Sequence, residues 1–202
     1  AVGKARPNTA HRALARLEEA GYGSLLVTQN VDRLHQRAGS QRVIDLHGRL
    51  DSVVCLSCGE KSERALMQQR LIESNSTLPS PGELAPDGDA DVPDEVIADF
   101  VVPPCASCGG VLKPDVVFFG DSVPRDTVNE IFAAIDAAGA LLVIGSSLMV
   151  YSGFRFCRHA HQASYPLACI NPGATRADEL FTLKSEADCA RELLGLVRAL
   201  VD

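Results

Sequence analysis

The residues in this sequence that are best suited to chemistry are four cysteines, arranged in two Cys-x-x-Cys pairs. The pairs are Cys55 with Cys58 and Cys105 with Cys108, and 46 residues separate them. Two short turns that each carry two thiolates can close a tetrahedral Zn²⁺ site, whatever the length of the chain between them. Ordinary buried thiols would not explain two pairs of identical spacing, each followed by Gly. We therefore expect one zinc ion per chain, and its role is structural because four thiolates leave no open coordination position.

A second group of polar side chains follows two apolar runs in the first quarter of the chain. Asn30 and Asp32 come just after the run 24–27, and His47 follows the run 43–46. An imidazole at a strand end can point away from the sheet and act as a general base near neutral pH. The alternatives are that Asn30 caps a short helix, that Asp32 is a favourable charge in its first turn, and that His47 is a hydrogen-bonded residue at a strand end.

Two further polar turns follow apolar runs in the second half of the chain. A Gly-Ser-Ser turn at residues 145–147 follows the run 140–144, and Asn171 follows the run 167–170. Ligands of open α/β sheets bind at the carboxyl ends of the strands, so these groups could meet phosphate or ribose oxygens. Taken alone a Gly-Ser-Ser turn is a weak signal, and Asn171 is also explained by the Asn-Pro-Gly turn that it begins.

The elements that must position these residues alternate between helix and strand along most of the chain. Asn8 is a good N-cap for the first helix, and Gly21 stands where that helix should end. Helices are predicted at residues 9–20, 62–73, 124–138, 153–162 and 186–201, and strands at residues 24–28, 43–46, 116–119, 140–144 and 167–170. Such alternation is typical of an α/β fold, in which helices cover a parallel sheet.

One section interrupts this pattern and carries both cysteine pairs. Residues 49–113 therefore read as an inserted zinc-binding module, between a first part of the main domain at 1–48 and a second part at 114–202. Within the module, residues 74–93 are rich in Pro, Gly, Ser and Asp, and we expect a flexible loop there.

Composition excludes several classes of function. The net charge is −7 and the pI is about 5.2, and the chain has no long basic run, so no nucleic-acid partner is expected. No apolar run is long enough to cross a bilayer, so no membrane partner is expected. Seven cysteines are an odd number, which favours a reducing compartment over a disulfide framework. The chain begins with Ala-Val-Gly, and we expect that an N-terminal portion is missing.

Taken in order along the chain, these motifs resemble the sirtuins, the NAD-dependent protein deacylases. The motifs are residues 28–39 (TQNVDRLHQRAG), 46–48 (LHG), the two cysteine pairs, 113–121 (KPDVVFFGD), 145–150 (GSSLMV) and 170–171 (IN). Within the family the chain is most similar to the class II branch near mitochondrial sirtuin 4 and its bacterial relatives. The residues that carry this finer likeness are 85–89 (APDGD), 117–121 (VFFGD) and 150–153 (VYSG).

The resemblance implies a Rossmann-like α/β fold with an inserted zinc module, and NAD and zinc as cofactors. It implies removal of an acyl group from a lysine of a protein or peptide, with release of nicotinamide and O-acyl-ADP-ribose. His47 would be the general base that acts on a hydroxyl of the nicotinamide ribose. The location would be cytoplasmic if the protein is bacterial, with the mitochondrial matrix as the alternative, and the oligomeric state is left open.

The resemblance also assigns binding residues. The residues that would bind NAD are Gln29, Asn30, Asp32, Gly145, Ser146, Ser147, Asn171 and Cys189. Of these, Asn30 and Asp32 would line the nicotinamide pocket, and Cys189 would lie beside the adenine. The main chain of the substrate would add as a strand to Val117, Phe118, Phe119 and Gly120.

Two other functions remain open at this point. One is mono-ADP-ribosyl transfer to a protein, because that reaction shares the step in which nicotinamide leaves. The other is a zinc-stabilised binding module that is inactive because it is truncated. The family's Gly-Ala-Gly-x-Ser phosphate loop precedes the first helix, and this sequence does not contain it, so weak NAD binding is expected.

Overall fold

The computed structural model describes residues 5–76 and 98–202. The helices are α1 (Thr9–Glu19), α2 (Leu34–Ala38), α3 (Arg64–Ser74), α4 (Arg125–Ala138), α5 (Tyr151–Gln162) and α6 (Cys189–Leu200), with a 3-10 turn at Asp178–Leu180. The strands are β1 (Leu26–Thr28), β2 (Val43–Asp45), β3 (Gly48–Cys55), β4 (Lys61–Glu63), β5 (Leu112–Val116), β6 (Leu141–Ile144), β7 (Leu167–Ile170) and β8 (Leu183–Ser185). These elements form two compact units. The first contains Asn30–Arg33 and the described part of His47–Phe118, and the second contains Arg6–Gln29, Leu34–Leu46 and Phe119–Asp202.

The second unit carries the parallel strands. β6, β7 and β8 form a three-stranded parallel sheet, and β1 pairs with β2 in a second parallel pair. The helix α2 lies between β1 and β2, and α5 lies between β6 and β7, whereas the connection from β7 to β8 contains the 3-10 turn. α1 packs against α6, and their apolar faces form a core with the end of β7. The buried residues of this core are Ala13, Leu17, Ile170, Leu193 and Val197.

Local sequence explains where the helices of the second unit begin and end. The Asn8 side chain accepts a hydrogen bond from the backbone N–H of His11 at 3.1 Å, which satisfies a donor in the first turn of α1. α4 ends at Gly139, which has the left-handed conformation (φ 65°) that favours glycine at this position. Both boundaries lie within one residue of the predicted ones.

The first unit is built on an antiparallel sheet in the order β4-β3-β5. Val54 of β3 pairs with Lys61 of β4 on one side and with Lys113 of β5 on the other. α3 packs against β3 and buries Met67. β3 and β5 approach so closely at Gly48 that a Cβ atom there would lie 2.1 Å from the carbonyl oxygen of Asp115.

We predict that Gly48→Ala destabilises the first unit by about 2–4 kcal/mol, because it combines a positive φ of 82° with this backbone collision. Gly139→Ala is the matched control, because Gly139 also has a positive φ but has no atom within 4 Å of the added Cβ. The control should cost about 1 kcal/mol. Urea unfolding followed by circular dichroism measures both, and equal losses would show that the contact with β5 is not the cause.

The predicted α/β class, with parallel strands connected by helices, is confirmed. The strand predicted at 167–170 matches β7, and the predicted helices match α1, α3, α4, α5 and α6 within a few residues. Two predictions were wrong. The strand predicted at 116–119 ends at Val116, because the chain turns at Phe119 and Gly120, where Gly120 has φ 94°. The short helix expected directly after Asn30 begins only at Leu34.

The predicted domain limits at 1–48, 49–113 and 114–202 stay a prediction, although the cysteine-bearing section lies within the first unit. The flexible loop expected at 74–93 falls outside the described residues from 77 onward. Within residues 5–76 and 98–202, no helix is both long enough and apolar enough to span a bilayer.

Candidate active site and metal centre

The four paired cysteines of the first unit come together in one cluster. All four sulfur atoms lie within 4.8 Å of one another, with Cys55 Sγ 3.5 Å from Cys108 Sγ and Cys58 Sγ 3.9 Å from Cys105 Sγ. Each pair sits on a tight turn of the same kind. The N–H of Gly59 donates to the Cys55 carbonyl, and the N–H of Gly109 donates to the Cys105 carbonyl.

Neighbouring residues allow the two turns to approach each other. The N–H of Leu56 donates to the Val111 carbonyl at 2.9 Å. A Cβ atom at Gly110 would lie 2.5 Å from Ser57 Oγ and 2.9 Å from Cys55 Sγ, so only glycine fits there. Gly110 is therefore part of the site, and the sequence signal for it is the Gly-Gly that follows the second pair.

The cluster fits a zinc ion. In a tetrahedral site with Zn–S bonds of about 2.3 Å, neighbouring sulfurs lie about 3.8 Å apart, close to the two separations above. Backbone N–H groups of Cys58 and Ser57 lower the pKa of the Cys55 thiol to about 6, whereas the neighbouring thiols of the cluster raise the pKa values of Cys58 and Cys108. A thiol that ionises readily is a competent metal ligand, because the thiolate is the form that binds. These four residues would hold the ion, and no fifth position is left for substrate.

His47 also lies in the first unit, in the turn between β2 and β3. It is half-buried, it follows buried Leu46, and it precedes the close approach of Gly48 to β5. Its carbonyl accepts a hydrogen bond from the N–H of Val117 at 2.9 Å. The predicted base and the beginning of the predicted substrate segment are thus joined through the backbone.

Asn30 and Asp32 lie on a short segment that is fastened to the same sheet. The N–H of Leu50 in β3 donates to the carbonyl of Val31 at 3.0 Å. Arg33 then adopts a left-handed conformation with φ 63°, which separates this segment from α2. Asn30 and Asp32 thus precede α2, which begins at Leu34, and are not part of its first turn.

The predicted substrate segment follows β5 as irregular chain. Lys113 holds it from within the strand, because its Nζ donates to the Val116 carbonyl at 3.0 Å and lies 4.8 Å from the centre of the Phe118 ring. Phe118 is about half exposed, and Phe119 is fully exposed. Lys113 was not predicted as part of the site, and only its place in the 113–121 motif pointed to it.

The polar residues predicted in the second unit gather at the carboxyl ends of its parallel strands. Gly145–Ser147 follow β6, and Gly145 has φ 61°, which favours glycine. Gln29 follows β1, and its Nε2 donates to Ser146 Oγ at 2.9 Å. A Cβ atom at Gly153 in α5 would lie 2.9 Å from Gln29 Oε1, so Gly153 permits this contact. A glycine at the first residue of a predicted helix was the sequence signal for that close approach.

Asn171 and Cys189 complete this edge of the second unit. Asn171 follows β7 and is buried, and its Nδ2 donates to the Gly173 carbonyl at 2.8 Å, so it does shape the Asn-Pro-Gly turn. Cys189 is the first residue of α6, and its Sγ donates to the carbonyl of Ile170 at 3.3 Å. Burial raises the pKa of the Cys189 thiol, which favours its neutral form.

The donor set of the second unit fits the adenosine half of a dinucleotide. It offers hydroxyl groups, an amide and the backbone of a glycine turn at the edge of a parallel sheet where ligands of α/β folds bind. Of the predicted NAD-binding residues, this unit brings together Gln29, Gly145, Ser146, Ser147, Asn171 and Cys189, whereas Asn30 and Asp32 belong to the first unit.

Comparison with known proteins identifies the family. The sequence model of the Sir2 family matches residues 1–152, which is more than half of the 202 residues. The chain belongs to the Sir2 family. The resemblance to sirtuins that its motifs suggested is thereby confirmed at the level of the family.

Bacterial members of the Sir2 family are similar over nearly the whole chain. An NAD-dependent protein deacetylase of Xanthomonas campestris pv. campestris (strain 8004) is 56% identical over 198 residues, which cover 96% of this chain and 67% of the relative. NAD-dependent protein deacetylase 2 of Bradyrhizobium diazoefficiens is 54% identical over 196 residues, covering 96% of this chain and 72% of the relative.

Solved Sir2 structures share the fold. One, described as "Sir2 bound to acetylated peptide", has a TM-score of 0.78 and 31% sequence identity, and the match covers 98% of this chain and 72% of that one. Another, described as "Sir2-p53 peptide-NAD+", has a TM-score of 0.77 and 31% identity, with the same coverage. The Rossmann-like fold predicted for this chain is therefore confirmed.

Proposed function

We propose that this chain is an NAD-dependent protein lysine deacylase of the Sir2 family, which releases nicotinamide and O-acyl-ADP-ribose. The observation that supports the proposal is the hydrogen bond from the N–H of Val117 to the His47 carbonyl, which joins the proposed base to the proposed substrate segment. Curated relatives that are more than half identical are named NAD-dependent protein deacetylases. Solved relatives hold NAD and an acetylated peptide, according to their descriptions.

The candidate site residues of the first unit each have a proposed task in this reaction. NAD, when bound, supplies the ribose that accepts the acyl group as nicotinamide leaves. His47 takes a proton from a ribose hydroxyl through its imidazole, and its carbonyl holds Val117 in place. Asn30 and Asp32 are proposed to line the nicotinamide pocket. Val117 and Phe118 are proposed to present backbone groups to the main chain of the substrate, a mode that tolerates many peptide sequences.

In the second unit, the Gly-Ser-Ser turn is proposed to hold the adenosine half of NAD. The Ser146 hydroxyl accepts from Gln29 Nε2 and from the N–H of Leu148 at 3.2 Å, so it is fixed in one orientation. Asn171 is proposed to contact the ribose, and Cys189 to lie beside the adenine. Phe119 and Gly120 continue the proposed substrate segment in this unit.

We predict that Ser146→Ala raises KM for NAD about tenfold and changes KM for the peptide much less. The reason is that it removes a fixed hydroxyl from the proposed adenosine site, together with the hydrogen bond that this hydroxyl accepts from Gln29 Nε2, a loss of about 1–2 kcal/mol. Ser24→Ala, an exposed serine of the same unit, is the control. Steady-state kinetics with each substrate varied in turn measure both constants. An unchanged KM for NAD would remove Ser146 from the proposed site.

The proposed function is tested by weighing its products. The chain and NAD are incubated with a panel of acyl-lysine peptides, and the small molecules and the proteins are analysed by mass spectrometry. An O-acyl-ADP-ribose product supports the deacylase, whereas a protein that gains ADP-ribose supports the mono-ADP-ribosyltransferase. Absence of nicotinamide release with every peptide would favour the zinc-stabilised binding module.

Three finer assignments stay predictions. The class II assignment rests on the short motifs 117–121 and 150–153, together with 85–89, which lie outside the described residues. The second is the expectation that the family's phosphate loop is missing. The cytoplasmic location is supported by the bacterial origin of the relatives named above, which give no support to a mitochondrial one. The acyl preference is best decided by the same peptide panel.

A further inference from the structure

Three arginines of the second unit gather around one tyrosine. The guanidinium carbon of Arg155 lies 5.2 Å from the centre of the Tyr151 ring, and that of Arg176 lies 6.0 Å from it. Arg158 Nη1 donates to the Tyr151 hydroxyl at 3.4 Å. Arg176 also covers the Phe154 ring at 4.5 Å. We call these five residues the arginine–aromatic cluster.

The positive charges of this cluster are not neutralised by acidic side chains. In the described part of the chain, none of the three arginines forms an ion pair. Asp178 lies close in sequence to Arg176, but it accepts from Thr175 Oγ1 at 2.7 Å and pairs with Lys184 Nζ at 3.0 Å. The buried Nε of Arg155 also has no hydrogen-bond partner.

Such an arrangement is suited to binding an anion. Guanidinium groups near one ring repel one another, and the aromatic faces offset only part of that repulsion. A carboxylate bound between two of the arginines would remove the remaining repulsion. It could also accept paired hydrogen bonds, because the guanidinium fork matches its geometry. The chain as a whole carries a charge of −7, so attraction for an acidic ligand is local to this cluster.

The cluster is held beside the Gly-Ser-Ser turn. The N–H of Arg176 donates to the Ser147 carbonyl at 2.9 Å, and its Nη1 donates to the Met149 carbonyl at 3.1 Å. Tyr151 is 49% exposed and Met149 is 61% exposed, so a large partner can reach this surface. Arg176 is fixed by two backbone bonds, which leaves Arg155 and Arg158 as the groups to vary.

We propose that the arginine–aromatic cluster recognises aspartate or glutamate side chains of the protein substrate. This inference rests on the proposed function, because it names the class of protein on which the deacylase acts. The acidic side chain is favoured over a phosphate of NAD as the ligand, because the cluster is exposed and a protein substrate can present a carboxylate there.

The test compares two acetyl-lysine peptides that differ only in flanking residues, three Asp on each side in one and three Asn in the other. We expect the wild-type chain to have a KM for the Asp peptide that is about five- to tenfold lower. Arg155→Gln combined with Arg158→Gln should bring the two KM values together, while KM for NAD and turnover of the Asn peptide stay within about twofold. Arg125→Gln combined with Arg198→Gln removes the same charge from other helices and should keep the preference.

Three results with the Asp and Asn peptides would overturn the inference. They are equal KM values in the wild-type chain, a preference that survives the double variant, and a rise in KM for NAD instead of for the peptide. A third peptide, with Asn flanks and a succinyl group on the lysine, separates an acidic acyl group from acidic flanks. If the double variant affects that peptide alone, the cluster reads the acyl group and the inference is wrong.

A binding measurement separates this inference from the proposed function. Fluorescence anisotropy of labelled peptides gives Kd without any turnover. If the wild-type chain releases no nicotinamide but still binds the Asp peptide about five- to tenfold more tightly, the proposed function fails, whereas the recognition of acidic side chains by the cluster stands. If turnover is observed and both peptides bind equally, the inference fails and the proposed function stands.

Discussion

His47→Ala is expected to lower kcat/KM for the acyl-lysine peptide by about 10³-fold while the thermal midpoint stays within a few degrees of the wild-type value. A positioned general base contributes about 10²–10⁴-fold to the rate, and alanine cannot take a proton. The His47 carbonyl accepts a hydrogen bond from the N–H of Val117, and alanine keeps that group. Activity should therefore fall much further than stability.

His161→Ala is the matched control for this variant, because His161 lies exposed on α5 in the second unit. It should leave kcat/KM unchanged within about twofold. Steady-state kinetics and differential scanning calorimetry on the three proteins give the comparison. A large fall in the thermal midpoint of His47→Ala, in parallel with activity, would show that the imidazole is a structural group and that the base lies elsewhere.

Much of the candidate site could be predicted because many of its residues directly follow strands. His47 follows an apolar run and precedes a glycine, and Ser146 follows another apolar run, so both were expected at loop positions before the sheet was known. The cluster of four cysteines could be predicted equally well, because two Cys-x-x-Cys pairs can close one metal site whatever the length of the chain between them. In each case a few neighbouring residues determine the local geometry.

The remaining features depend on contacts between residues that are distant in sequence. β5 contains Pro114 and lacks an alternating pattern, so its pairing with β3 carries no local signal. Arg33 adopts a left-handed conformation that residues other than glycine rarely take, and only the surrounding fold can impose it. The contacts of Arg176 with Tyr151 and Phe154 likewise join separate elements.

Cys105→Ser is expected to abolish stoichiometric zinc binding and to unfold the first unit around the two cysteine turns. One of four thiolates is lost, and the remaining three leave an open position and a weaker site. Zinc contributes on the order of 10 kcal/mol to small modules of this kind, so loss of the ion outweighs the few buried side chains there. Metal analysis should fall from one zinc per chain to less than about 0.1.

Hydrogen exchange locates the effect of this variant. Protection should be lost in β3, β4 and β5, while α1 and α6 keep theirs. The reason is that the core formed by Leu17, Leu193 and their neighbours lies entirely in the second unit and contains no zinc ligand. Ser107→Ala changes the same turn but keeps all four thiols, so it should retain the metal and the protection pattern.

Cys157→Ser provides the second control, because Cys157 is a buried thiol of the second unit and lies outside the cluster. Replacing it costs stability there through a buried hydroxyl but should leave one zinc per chain. Zinc retained by Cys105→Ser, with β3 still protected, would show that the other three thiolates are sufficient. The prediction of a closed four-cysteine site would then be wrong.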